Sequence, residues 1–138
     1  MKIAKFGGSS LADAFQIKKV CDIILADPDR RIVVVSAPGK RSKEDIKVTD
    51  LLIAVANAGL SGESYETELD RVIERYREIC DDLDIEDKLP EIKETLSAAA
   101  ASDTSDKNIY IDTVKAMGED CCARLVAAYL TSIGHPAK

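Results

Sequence analysis

No apolar run in these 138 residues is long enough to span a membrane. Nor does the start of the chain show the apolar core of a signal peptide. It enters a strand at once, so the expected compartment is the cytoplasm. Basic charge is in deficit: 19 Lys and Arg face 25 Asp and Glu, for a formal charge of −6. That balance argues against nucleic acid as a partner, and the densest basic cluster is only Lys40, Arg41, Lys43 and Lys47. Histidine occurs once, as His135, and the four cysteines lack the spacing of zinc ligands, so no metal site is expected. Cys21 and Cys80 fall on apolar helix faces and Cys121-Cys122 inside a helical stretch, as buried, reduced thiols do. Internal repeats are absent, and the charged stretch from Glu63 to Glu94 reads as solvated helix faces. A hydrophobic content of 46% is that of a globular chain, and the length suits one domain or part of a larger one.

What is present is organised around Lys5-Phe6-Gly7-Gly8-Ser9-Ser10. A short strand runs into this stretch and an amphipathic helix is expected to leave it near Ser10, with Asp13 three residues on as in a capping box. Glycines let backbone come close to an anion and open positive φ. Free N–H groups of a first helical turn, aided by the helix dipole, then favour negative charge. Lys5 adds a positive charge at the strand end. The order is not that of a Walker loop, where Lys follows the glycines, nor is it G-x-G-x-x-G. A phosphate site and a plain tight turn both fit this stretch.

The remaining chain reads as alternating elements. The strand is Lys2 to Phe6, and the first helix runs from about Leu11 to Asp27, with Ile17, Val20, Cys21, Ile24 and Leu25 on one face. Arg31 to Ser36 is a β-branched run, expected as a parallel strand buried on both faces. Ala37-Pro38-Gly39 and a charged loop follow, at the edge where open α/β sheets bind ligands. Thr49 is expected to cap a helix that Gly59 stops; further helices are expected at about 65–83, 90–101 and 107–132. The last has an inner stripe of Val114, Gly118, Cys121, Cys122, Leu125, Val126, Tyr129 and Ile133. Two strands are few for so many helices, so the chain is expected to be the N-terminal part of a larger α/β domain.

Ser36, Thr49 and Gly118-Glu119 each have an ordinary reading, as strand end, helix cap and surface carboxylate beside a packing glycine. Together with Lys5-Phe6-Gly7-Gly8-Ser9-Ser10 they resemble the aspartate kinases of the amino acid kinase family. The segments carrying the likeness are Val33 to Gly39, Lys47-Val48-Thr49-Asp50-Leu51-Leu52, and Gly118-Glu119 with Ala123 to Leu130. One departure is Ala116, where the family usually has Ser. The resemblance implies a three-layer α/β sandwich with a mostly parallel sheet, of which residues 1–138 form only the N-terminal portion, lacking the nucleotide half and the regulatory modules. It implies phosphorylation of the L-aspartate side chain by ATP with Mg²⁺ in a homo-oligomeric enzyme. Lys5 would be catalytic, and Lys5, Gly7, Gly8 and Ser9 would bind phosphate, with Ser36, Thr49 and Glu119 on the amino acid. Two alternatives stay open: a relative acting on glutamate or a nucleoside monophosphate, and a non-catalytic piece that binds a ligand or a partner subunit.

Overall fold

The computed structural model describes residues 1–138. Strands β1 (Lys2–Phe6) and β2 (Arg30–Val35) pair in parallel, joined through helix α1 (Ala14–Leu25). Four helices follow: α2 (Val48–Leu60), α3 (Glu66–Asp82), α4 (Leu89–Ala100) and α5 (Lys107–Ser132). This is the mixed α/β fold expected from the alternating pattern. No helix is long and apolar enough to cross a membrane.

The ladder places Ile3 opposite Ile32, Ala4 opposite Val33, Lys5 opposite Val34 and Phe6 opposite Val35. Side chains alternate across a strand. Phe6, Val33 and Val35 therefore share the face that packs into the core beside α1 and α5. Ile3, Ile32 and Val34 share the other face and are 69%, 43% and 46% exposed. The expectation that the second strand is buried on both faces is thus corrected, because these helices cover only one side of the sheet.

The core is aliphatic and continuous from α1 to α5, with α2, α3, α4 and α5 packed on one another. Tyr76 and Tyr110 are its largest fully buried side chains, and each directs its hydroxyl to a carbonyl, Gly118 at 2.7 Å and Ala100 at 2.9 Å. A buried hydroxyl without a partner would cost about 1–3 kcal/mol. All four cysteines are free and buried; burial pushes Cys21 and Cys80 up to about 11 and Cys121 and Cys122 up to about 12.

Three helix boundaries differ from expectation. Ser10 does not cap α1. Gly8–Leu11 form a 3-10 turn, Leu11 and Ala12 are buried, and α1 begins at Ala14 with Asp13 accepting from the Gln16 N–H. Thr49 does not cap α2, which begins one residue earlier because the Val48 N–H is taken by the Pro38 carbonyl at 3.0 Å. Gly59 does not stop α2 but lies within it, where a Cβ would collide with the Tyr110 hydroxyl; the helix ends at Leu60, capped by Ser61 and followed by Gly62 at φ +70°. The bounds of α5 hold, with Asp106 capping two N–H groups, although Ile133 falls off the inner stripe at 44% exposure.

Candidate active site

The carboxyl ends of β1 and β2 bring two glycine turns into backbone contact. The Ser36 N–H donates to the Phe6 carbonyl at 3.2 Å and the Gly39 N–H to the Gly8 carbonyl at 2.8 Å, so the pairing continues past both strands. A Cβ on Gly39 would stand 2.6 Å from the Gly8 carbonyl carbon and 2.8 Å from the Ser9 nitrogen. On Gly8 it would stand 3.0 Å from the Ala37 oxygen. Glycine is needed here for close approach. The expected use of positive φ at Gly7 and Gly8 is not found, since only Gly62 and Gly134 among the glycines have it.

Two helices close on the same edge. The first turn of α2 is tied to Pro38, which puts Thr49 beside the β2 turn and half-buried. Helix α5 meets it at Gly118, where a Cβ would lie 2.8 Å from Ala37 Cβ and 3.1 Å from Leu52 Cδ1. The mid-helix glycine thus serves close packing, and it carries Glu119, exposed, next to the junction.

Sequence reasoning therefore picked residues that the fold gathers: Gly7, Gly8 and Ser9 on one turn, Ser36 on the next, Thr49 at the start of α2 and Glu119 on α5. Lys5, Gly7, Ser9 and Glu119 are exposed; Gly8 and Ser36 are half-buried. Lys5 and Glu119 take no part in the chain's ion pairs. Outside the regular elements, the Gly7 and Gly8 carbonyls accept backbone hydrogen bonds, while the N–H groups of Gly7, Gly8 and Ser9 donate none. Three free donors beside a lysine suit an anion. No group of three or more His, Cys, Asp or Glu side chains is arranged to hold a metal ion.

The site is an open edge. A cleft of about 470 Å³ lies elsewhere, between the start of β2 and the last residues of the chain. Sequence reasoning missed one residue, Arg75. It was assigned with the other charged residues of its helix to the solvated face, yet it is only 5% exposed. Its spacing held the signal: Val72, Arg75 and Ile79 stand at i, i+3 and i+7, on the flank of the apolar stripe.

A description of the amino acid kinase family fits residues 1–138 throughout. The chain belongs to the amino acid kinase family. Within that family it is 46% identical over 139 residues to aspartokinase 3 of Bacillus subtilis (strain 168), covering 100% of this chain and 31% of the relative. To the chloroplastic aspartokinase 2 of Arabidopsis thaliana it is 30% identical over 141 residues, covering 99% of this chain and 25% of the relative. The crystal structure of Clostridium acetobutylicum aspartate kinase superposes with a TM-score of 0.84 at 34% identity, over 94% of this chain and 29% of that one. Escherichia coli aspartokinase III in complex with aspartate and ADP gives 0.72 at 26% identity, over 95% and 29%. This amino acid kinase chain thus spans about a third of the length of such relatives.

Proposed function

We propose that residues 1–138 form the N-terminal part of the kinase domain of an aspartate kinase. The whole enzyme transfers the γ-phosphoryl group of MgATP to the side-chain carboxylate of L-aspartate, giving aspartyl phosphate for the lysine, threonine and methionine route in the cytoplasm. One observation carries the reading. The Lys5-to-Ser9 turn and the Ser36-to-Gly39 turn are bonded to each other at one sheet edge, through the Gly39 N–H and the Gly8 carbonyl, with Thr49 and Glu119 on the helices that close on it.

Phosphoryl transfer asks for positioning and charge stabilisation more than covalent help. A carboxylate oxygen of aspartate forms the bond to phosphorus as the bond to the bridging oxygen breaks and ADP leaves. Lys5 and the N–H groups of Gly7, Gly8 and Ser9 hold the oxygens of the transferring group, where charge builds up. Ser36 and Thr49 offer hydroxyls to the amino acid, and Glu119 pairs with its ammonium. The Mg²⁺ enters with the nucleotide, and this chain's residues are assigned no ligand to it. The exposed Ile3, Ile32 and Val34 face is assigned to a third layer, built by the rest of the kinase domain.

The test is a hydroxamate assay for the acyl phosphate on the full-length kinase and on residues 1–138 alone, with aspartate and with glutamate. Turnover of aspartate by the full-length protein and none by residues 1–138 is the expected result. Equal rates from both, or a preference for glutamate, would overturn the reading.

A further inference from the structure

Helix α3 contributes nothing to the chemistry above, yet its buried Arg75 touches every turn that does. The guanidinium is 5% exposed. A buried charge persists only where its donors are matched. Here Nη2 donates to the carbonyls of Ala12 at 3.1 Å and Gly39 at 2.8 Å, and Nη1 donates to the carbonyl of Ile46 at 2.9 Å. Nη1 also lies 3.5 Å from Asp45 Oδ2. The three carbonyls belong to three separate segments. Ala12 ends the turn that holds Gly7, Gly8 and Ser9, Gly39 ends the turn that holds Ser36, and Ile46 leads into Thr49.

A planar guanidinium has five donors fixed in a fork, so it sets directions as well as charge. An ammonium is a point charge and cannot reproduce three such directions. Substituting Lys therefore separates geometry from charge. The neighbouring Tyr76 supplies the control. It ties the same helix to α5 through the Gly118 carbonyl at 2.7 Å, without contacting the three turns through that bond.

We propose that Arg75 is a positioning residue of the aspartate kinase site, holding the phosphate turn, the Ser36 turn and the Thr49 loop in a single frame. This rests on the functional reading above, and it names a determinant of that site outside the groups that meet substrate.

The test compares full-length wild-type kinase with Arg75→Lys and Tyr76→Phe, by steady-state kinetics and by amide hydrogen exchange. A frame loosened by about 1 Å costs on the order of 10²-fold in a positioned reaction. In Arg75→Lys, kcat/KM for aspartate is expected to fall by roughly 10–100-fold. The Gly39 and Val48 amides, bonded to Gly8 and Pro38, should exchange much faster while the buried turns of α5 stay protected. Tyr76→Phe should leave the exchange of those two amides unchanged. A kcat/KM for aspartate within about twofold of wild type in Arg75→Lys overturns the proposal. So does loss of protection spread equally over α5, or the same loosening at Gly39 and Val48 in Tyr76→Phe, since either marks general destabilisation of α3. Should Arg75→Lys fail to fold, Arg75→Gln keeps two amide donors without the charge and is judged by the same criteria. The exchange measurement needs no turnover. If the wild-type enzyme leaves aspartate unphosphorylated, the functional reading fails while the response of the turns still decides the role of Arg75.

Discussion

Replacing Gly39 by Ala tests the junction directly. The new Cβ would lie 2.6 Å from the Gly8 carbonyl carbon and 2.8 Å from both the Gly8 oxygen and the Ser9 nitrogen, whereas ordinary contact begins at 3.4 Å. The turns must separate by the difference, 3.4 − 2.6 = 0.8 Å. All three obstructing atoms are backbone, so no rotamer change relieves the clash. Overpacking of this kind costs about 1–3 kcal/mol. The displacement also stretches the Gly39 N–H bond to Gly8 and the Arg75 bond to the Gly39 carbonyl, both 2.8 Å, at about 1 kcal/mol each if lost. Against this stands about 0.4–1 kcal/mol from the stiffer unfolded chain. The net is a loss of about 2–4.5 kcal/mol, or a fall in melting temperature of roughly 6–18 °C at this size. Moving the Gly8 and Ser9 N–H groups by most of an ångström should also lower kcat by about 10²-fold. The comparison is Gly7→Ala, because nothing lies within 4 Å of a Cβ there and the backbone is extended at φ −81°. That variant should melt within about 2 °C of wild type. Calorimetry of residues 1–138 and the hydroxamate assay on the full-length kinase check both. If Gly39→Ala matches Gly7→Ala in melting temperature, the two turns do not meet as described.

Lys5 is exposed and outside the ion pairs, so Lys5→Ala should leave the melting temperature nearly unchanged and lower kcat by about 10²–10³-fold, with a smaller effect on the KM for aspartate; a change in KM alone would contradict its assignment to the transferring phosphoryl group. Glu119→Gln should raise the aspartate KM by about tenfold, the low end for a charge-assisted hydrogen bond because Glu119 is exposed, and an unchanged KM would make it an ordinary helix carboxylate. Asp45 tests pH dependence: hydrogen bonds from the Arg41 side chain hold its carboxyl well below the usual carboxylate range. A depressed carboxyl stabilises above its unfolded pKa of about 3.9, and the contribution fades as pH falls towards the folded value. Asp45→Asn should therefore lower the melting temperature most above about pH 5, with the gap to wild type shrinking below about pH 4; a gap constant from pH 7 to pH 3 would show that the charge of Asp45 is not what stabilises the loop.

Local pattern alone was enough for the elements. The β-branched run at 32–35 and the 3.6-residue stripes of α1, α3 and α5 specify strand and helix whatever surrounds them, because each stripe can be buried only in that conformation. The glycines gathered at the sheet edge were legible for a related reason. Gly-Gly after a strand and a glycine inside a helix are locally unfavourable, and such exceptions mark places where something comes close. Tertiary structure decided the rest. Where α1 and α2 begin depended on which distant group took each free N–H and C=O: Pro38 claimed the Val48 N–H, and Arg75 claimed the Ala12 carbonyl. The local rules that favoured Ser10 and Thr49 as caps could not include those partners. Gly59 reads as a helix stop until Tyr110, fifty-one residues later, is seen to need the space. Arg75 carries the same lesson for the site. Its charge alone places it in solvent, and only three carbonyls converging from separate segments, with Asp45 beside them, make a buried guanidinium stable.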